Sequence, residues 1–323
     1  MDDILLRVKE AKKHYPIRKG MLGKREYVRA VENVSFDVRR GEAFGIVGES
    51  GCGKSTLGRL ICRLETMSFG DIEFEGRSII ALKKSESRDV CKKVQMIFQE
   101  PYASLNPRMS VNDIISEPLI VHKLAKNASE RERIVRELLE NVGLAAYYAN
   151  RYPHEFSGGQ RQRIGIARAL AVHPQLIVAD EPVSALDVSI QSQVLNLLNG
   201  IKKQYGIAFI FIAHDLSVVE FFSDRIGVMY LGNLVEVASK ETLYRNPLHP
   251  YSQALLESIP TWGPDAKKKK SLLEGDIPSA TSPPPGCKFH TRCRHCMERC
   301  KIEEPKKTVV SDEQYVYCHL YDK

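Results

Sequence analysis

Residues 48–55 read Gly-Glu-Ser-Gly-Cys-Gly-Lys-Ser and fit the pattern G-x-x-x-x-G-K-S/T. No other segment restricts the fold so tightly, because each position answers a physical demand. Gly48, Ser50, Gly51 and Gly53 let backbone N–H groups turn inward around phosphates at the start of a helix. Lys54 would set its ammonium between the outer two phosphates of a nucleotide. Ser55 would offer its hydroxyl to Mg²⁺, and Thr56 would add a contact on the inner phosphate side. The flanks suit this role: the apolar run Ala43–Val47 reads as a strand and Lys54–Leu64 as a helix. A chance glycine-rich turn has no reason to sit between such flanks. By itself, however, the loop specifies only nucleotide phosphate.

Around the loop, Leu5–Val8, Val31–Val38, Ile72–Phe74 and Val94–Phe98 read as further strands. From about Asn112 to Ala171 the pattern turns helical. There Ser129 is expected to cap a helix with Ile134, Val135, Leu138, Leu139 and Val142 on one face. Leu176–Ala179 and Ile207–Ala213 are continuous apolar runs of the kind buried on both faces of a parallel sheet, joined by a helix carrying Val194, Leu197, Leu198 and Ile201. This alternation predicts a parallel α/β core with an inserted helical subdomain at about 110–172. Residues 261–286, rich in Pro, Ser and Lys, are expected to be a linker, and 287–323 a small Cys-rich module.

Bulk properties exclude some functions. With 323 residues and 43% apolar content, the chain can build a large core. The apolar run Ile207–Ala213 is far short of the roughly 18–20 residues that cross a bilayer. The acidic opening Met1-Asp2-Asp3 lacks a secretory pattern, so any membrane role is expected to be peripheral. The net charge of +7 is mild, and Lys267–Lys270 supplies much of it as a solvated run. Of eight cysteines, Cys52, Cys62 and Cys91 are scattered; Cys52, inside the loop, reads as a small filler. The other five crowd the C-terminal end, where metal ligation is expected over disulfides.

A second set of motifs narrows the reading. Ser157-Gly158-Gly159-Gln160 opens a helix, and Leu176-Ile-Val-Ala-Asp180-Glu181 is an apolar strand ending in two carboxylates. Ser184-Ala-Leu-Asp187 follows, His214 ends the next buried run, and Gln99 closes Val94–Phe98. With these motifs the chain resembles the ATP-binding-cassette ATPases over residues 1 to about 260. Phe156, where many members carry leucine, keeps the apolar character of that position. The resemblance implies an α/β P-loop cassette: a RecA-like parallel sheet, an antiparallel β portion and an inserted helical subdomain.

It also implies roles. Asp180 would hold Mg²⁺ and Glu181 would polarise the attacking water. Gln99 would reach Mg²⁺ and the water, and His214 would contact the γ-phosphate and hold Glu181. Tyr15 would stack on adenine, although the insert Pro16–Arg29 separates it from the phosphate loop and core packing is the alternative. Ser157 and Gly159 would bind the nucleotide of a partner cassette, the two chains enclosing two ATP molecules head to tail. Asp187 lies where the family makes contacts across that seam.

Three further segments resemble the ATPases of dipeptide/oligopeptide importers: Gln99–Arg108, Tyr152–Phe156 and Asn246–Tyr251. The insert Pro16–Arg29 resembles the second-listed of the two paired ATPases. The implied partners are a second, different ATPase, two transmembrane permeases and an extracytoplasmic substrate-binding protein, at the cytoplasmic face of the membrane, with no nucleic acid. Alternatives are nickel or oligosaccharide as cargo, or a soluble cassette ATPase acting on nucleic acid or ribosomes. Cys287-x5-Cys293-x6-Cys300-x17-Cys318 resembles the cysteine pattern that ligates a [4Fe–4S] cluster in these importers. Spacing alone also admits zinc, with His290, His295 and His319 as further ligands, and leaves Cys296 surplus.

Overall fold

The computed structural model describes residues 3–18, 25–258 and 275–322. Most of the expected linker, including Lys267–Lys270, and the middle of the Pro16–Arg29 insert lie outside them.

The chain opens with an antiparallel hairpin, β1 (Ile4–Arg18) and β2 (Arg25–Arg39), then enters β3 (Ala43–Val47) and, after the glycine-rich loop, α1 (Lys54–Ile61). β4 (Phe69–Phe74), the short β5 (Arg77–Ser78), α2 (Lys84–Lys93), β6 (Val94–Ile97) and the one-turn α3 (Pro101–Ser104) follow. The helical insertion holds α4 (Val111–Val121), α5 (Ala128–Asn141) and α6 (Gly158–Leu170). Then come β7 (Leu176–Asp180), α7 (Val188–Tyr205), β8 (Ala208–Ile212), α8 (Leu216–Phe222), β9 (Arg225–Tyr230) and β10 (Asn233–Ser239). α9 (Lys240–Arg245), α10 (Pro250–Glu257) and a hairpin of β11 (Lys307–Ser311) and β12 (Gln314–Tyr317) complete the order.

Two sheets result, ordered β2-β1-β4-β5 and β11-β12-β10-β9-β3-β8-β7-β6. In the larger sheet β9, β3, β8, β7 and β6 are parallel. Every residue of β3, β7 and β8 is buried, which explains their unbroken apolar character. Alternate side chains serve different layers. Ala43 and Val47 of β3 join the core shared with the helical insertion, whereas Phe44 and Ile46 join the core against the antiparallel sheet. Each fully buried aliphatic side chain contributes roughly 1.5–3 kcal/mol, so this central strand secures both layers.

Local departures from expectation have identifiable causes. Asn127, not Ser129, caps α5, its side chain accepting from Glu130 N at 2.9 Å. Part of the Pro16–Arg29 insert lengthens the first hairpin, pairing Pro16 with Tyr27. Proline is tolerated there because the last pairing of β1 with β4 is at Lys12.

The cysteine-bearing tail, expected as a small module, docks on the main sheet. β12 pairs with β10 through Glu236–Val316 and Val237–Tyr315, so the tail extends the main sheet. A buried carboxylate anchors the join. Glu236 accepts from the N–H groups of Leu248 and His249 and from Gln314 Nε2, each at 2.9 Å. Val316, fully buried, packs with Leu248 and Cys318.

Candidate functional site

The ends of the parallel strands converge on one cleft of about 460 Å³. Its lining includes Ser50, Gly51, Gly53, Lys54, Ser55 and Thr56 from the loop and start of α1, facing Gln99, Glu181 and His214. A larger cavity, about 670 Å³, lies beside Leu5, Ile134 and Tyr205 and contains none of the motif residues.

Steric crowding accounts for the loop glycines. A Cβ on Gly53, at φ 103°, would stand 1.9 Å from the Ala30 carbonyl oxygen. One on Gly48 would stand 2.1 Å from that of Met229. Gly53 also precedes α1 with no side-chain cap, leaving the helix's first N–H groups for an anion. Lys54 is buried, and its Nζ donates to the carbonyls of Gly48 at 2.8 Å and Glu49 at 3.0 Å. Cys52 is buried beside it; burial pushes the thiol up, and the Lys54 charge only partly opposes that, so it stays a neutral filler.

Ser55 and Asp180 bring two hard oxygens together: Ser55 Oγ donates to Asp180 Oδ1 at 2.8 Å. Burial raises the Asp180 carboxyl, and the Ser55 hydrogen bond works against the rise. That donor set fits Mg²⁺.

Glu181 follows β7 in a left-handed conformation, φ 45°. Its N–H donates to Ile212 O at 2.9 Å. The turn thereby aims its carboxylate back into the cleft, where Gln99 Nε2 and His214 Nδ1 both lie 3.1 Å from Oε2. Three strand-end residues, none adjacent in sequence, share one oxygen.

Ser157 and Gly159 stand elsewhere. Ser157 caps α6, with its N–H donating to Gln160 Oε1 at 3.0 Å, and neither residue lines the cleft. A Cβ on Gly159 would meet Ile190 Cγ2 at 2.4 Å, so glycine is needed for α6 to approach α7. Asp187, ahead of α7, is exposed. Tyr15 is half-buried on β1 opposite Val28, with Lys13 Nζ 4.8 Å from its ring centre; the cleft wall at that end is Val28 and Ala30.

Sequence reasoning missed several contributors. Ala280, from the expected linker, lines the cleft, and its carbonyl accepts from Arg29 N at 3.1 Å. Tyr251 Oη accepts from Glu49 N at 2.9 Å. Arg292, between two of the cysteines, pairs with Glu49 through both prongs of its guanidinium. Val28 completes the wall. Only Tyr251 had a signal, inside the Asn246–Tyr251 segment.

In the tail, the thiols of Cys287, Cys293, Cys300 and Cys318 are free; Cys318 feels the charge of the other three, and Cys287 that of Cys293 and Cys300. Burial pushes Cys287 up to about 11 and Cys318 up to about 12. The donor chemistry fits a four-thiolate site. Among the described residues, though, no three His, Cys, Asp or Glu stand close enough to hold an ion. His319 spends both ring nitrogens, on Asp322 and the Glu303 carbonyl, so neither is left for zinc.

Comparison with known proteins identifies the family. The oligopeptide transport ATP-binding protein AppF of Bacillus subtilis (strain 168) is 50% identical over 323 residues, covering 99% of this chain and 98% of that one. The chain belongs to the ATP-binding subunits of oligopeptide and dipeptide ABC transporters. It is an ATPase of that class. The family described as "ABC transporter" matches residues 31–184, and that described as "Oligopeptide/dipeptide transporter, C-terminal region" matches residues 235–300. The dipeptide transport ATP-binding protein DppF of Escherichia coli (strain K12) is 45% identical over 302 residues, 94% of this chain and 90% of that one. Among solved structures, a dimeric post-hydrolysis state of the ATP-binding cassette MJ0796, bound to ADP and Pi, superposes with a TM-score of 0.65 at 29% identity. The match covers 73% of this chain and 99% of that one. Among the described residues no helix is long and apolar enough to cross a membrane.

Proposed function

We propose that this subunit hydrolyses ATP in the cleft at Lys54 to drive peptide uptake through a pair of permeases, docked peripherally at the cytoplasmic face of the membrane. The observation that carries the reading is the convergence of Gln99 and His214 on Glu181 Oε2, beside Lys54 and the Ser55–Asp180 pair.

The loop N–H groups and the Lys54 ammonium hold the β- and γ-phosphates. Bound Mg²⁺ would neutralise phosphate charge, held by Ser55, Asp180 and Gln99. Glu181 orients a water and accepts its proton as the water oxygen bonds to the γ-phosphorus and the bond to the β-phosphate oxygen breaks, giving ADP and phosphate. Gln99 and His214 keep that carboxylate aimed, and Tyr15, at the far end, stacks on adenine. Because Ser157 and Gly159 do not line the chain's own cleft, they serve a partner's nucleotide, with Asp187 at the seam. That a similar cassette, MJ0796, was solved as a dimer bound to ADP and Pi supports pairing of two cassettes.

A second, non-identical ATPase is the proposed partner, with an extracytoplasmic binding protein delivering peptide. Exposed Tyr102, Ile120, Val121 and Tyr147 around the helical insertion offer apolar surface for the permeases. In the tail, Cys287, Cys293, Cys300 and Cys318 would hold a [4Fe–4S] cluster, which would brace the tail through four thiolate bonds. Zinc is the competing occupant.

The test is uptake of a labelled oligopeptide into vesicles carrying both ATPases and the permeases, with binding protein supplied on the opposite side from ATP. Accumulation should require hydrolysable ATP and vanish with Lys54→Ala. Turnover stimulated by ribosomes or DNA, with no peptide uptake, would overturn the reading.

A further inference from the structure

The C-terminal segment touches the nucleotide cleft at one point and its phosphate loop at another. At one, Ala280 lines the cleft and its backbone carbonyl binds Arg29 N. At the other, Arg292 grips Glu49, with Nη1 to Oε2 at 2.8 Å and Nη2 to Oε1 at 3.1 Å. The Arg292 side chain is only 5% exposed and Glu49 21%, so water screens the pair weakly. The guanidinium also sits 5.9 Å from the Tyr230 ring centre.

Glu49 is the sole acidic residue of the phosphate loop. Its backbone is committed on both sides, the N–H to Tyr251 Oη and the carbonyl to Lys54 Nζ. An unpaired carboxylate here would repel the phosphates that the loop has to bind, and would compete for the Lys54 charge. A two-pronged arginine removes that charge and fixes the loop residue in place.

We propose that Arg292 is a positioning residue for ATP: by pairing with Glu49 it cancels the one negative charge of the phosphate loop, making the cysteine-bearing tail part of its own chain's nucleotide site. This rests on the reading of the cleft as an ATP site. Glu49 is the residue through which Arg292 acts, so its removal should suppress the loss of Arg292.

The test uses the full-length chain and measures KM for ATP, kcat and fluorescent-nucleotide affinity. Arg292→Met should raise KM about tenfold, equivalent to ~1.4 kcal/mol, with kcat within about twofold of wild type. Arg292→Lys, a point charge without the fork, should recover part of that loss. The double variant Arg292→Met with Glu49→Gln should bring KM back to within about threefold of wild type, because no bare carboxylate remains. Glu303→Gln breaks an ion pair with Arg299 inside the tail (2.9 Å) that does not reach the loop, and should leave KM unchanged. A KM unmoved by Arg292→Met, a double variant no better than the single, or an equal effect of Glu303→Gln would each overturn the proposal. Lys54→Ala separates the two levels: nucleotide affinity surviving that change would sink the ATP-site reading itself.

Discussion

Gln99 Nε2 stands 3.1 Å from Glu181 Oε2, joining the residue beyond the end of β6 to the one beyond the end of β7. β6 and β7 are parallel neighbours in register from Val94–Leu176 to Ile97–Ala179, so their carboxyl ends open on the same side of the sheet. Any movement of the loop after β6 therefore pulls on the carboxylate that faces the cleft. Glu181→Gln should cut ATP turnover by about 10²–10⁴-fold while nucleotide affinity holds, because it removes the proton acceptor and keeps the shape. Gln99→Ala should cost less, as His214 still holds the same oxygen. Single-turnover hydrolysis beside equilibrium nucleotide binding distinguishes the two effects; wild-type turnover in Glu181→Gln would remove Glu181 as the base.

Gly53→Ala should abolish nucleotide binding. The added Cβ meets the Ala30 carbonyl at 1.9 Å in a backbone conformation, φ 103°, that alanine disfavours. Relaxing the clash means shifting the entry to α1. Gly51→Ala meets no atom within 4 Å but keeps the φ penalty, and should cost only about 1 kcal/mol. Nucleotide titration with thermal melting of both variants checks the contrast.

Glu236→Ala should loosen the tail. It leaves the N–H groups of Leu248 and His249 and the Gln314 amide unpaired in a buried site, at a cost of about 2–5 kcal/mol. Limited proteolysis should then release the tail faster than it cuts α1. A cleavage pattern equal to wild type would show that the β10–β12 pairing holds without this anchor.

His249 carries a pH dependence. It is buried and caps α10, Nδ1 accepting from Tyr251 N at 3.0 Å; burial lowers its pKa from 6.5 to about 3. The unfolded chain binds the proton more readily, so the stability this residue contributes is complete above pH 6.5 and is lost as pH falls toward 3. The slope is up to about 1.4 kcal/mol per pH unit. His249→Asn keeps a capping oxygen and has no titrating group. Urea denaturation at pH 7.5 and pH 5.0 should show a smaller difference for this variant than for wild type.

Metal content should follow the cysteine pattern. Anaerobically purified protein should contain iron and acid-labile sulfide, lost on Ser substitution of Cys287, Cys293, Cys300 or Cys318 and kept in Cys296→Ser. Cys296 is the thiol surplus to the four. Colourless protein with one zinc per chain would replace the cluster by the competing ion.

Some of this molecule was legible in the residues alone. β3, β7 and β8 betrayed themselves as unbroken apolar runs because a strand buried on both faces needs no polar alternation. The glycines around Lys54 were readable because a backbone that turns its N–H groups inward excludes side chains. Glu181 and His214 could be found because they follow such strands directly. Tertiary structure decided the rest. Which strand ends meet depends on sheet order: β8 lies between β3 and β7, and no local period encodes that arrangement. The tail reads as a small module because a cysteine cluster follows a Pro-rich stretch, and nothing local says where it docks. Its docking depends on Gln314 meeting Glu236 across 78 residues and Arg292 meeting Glu49 across 243. Local periodicity reports the environment of each residue; only the packed fold determines which distant charge supplies it.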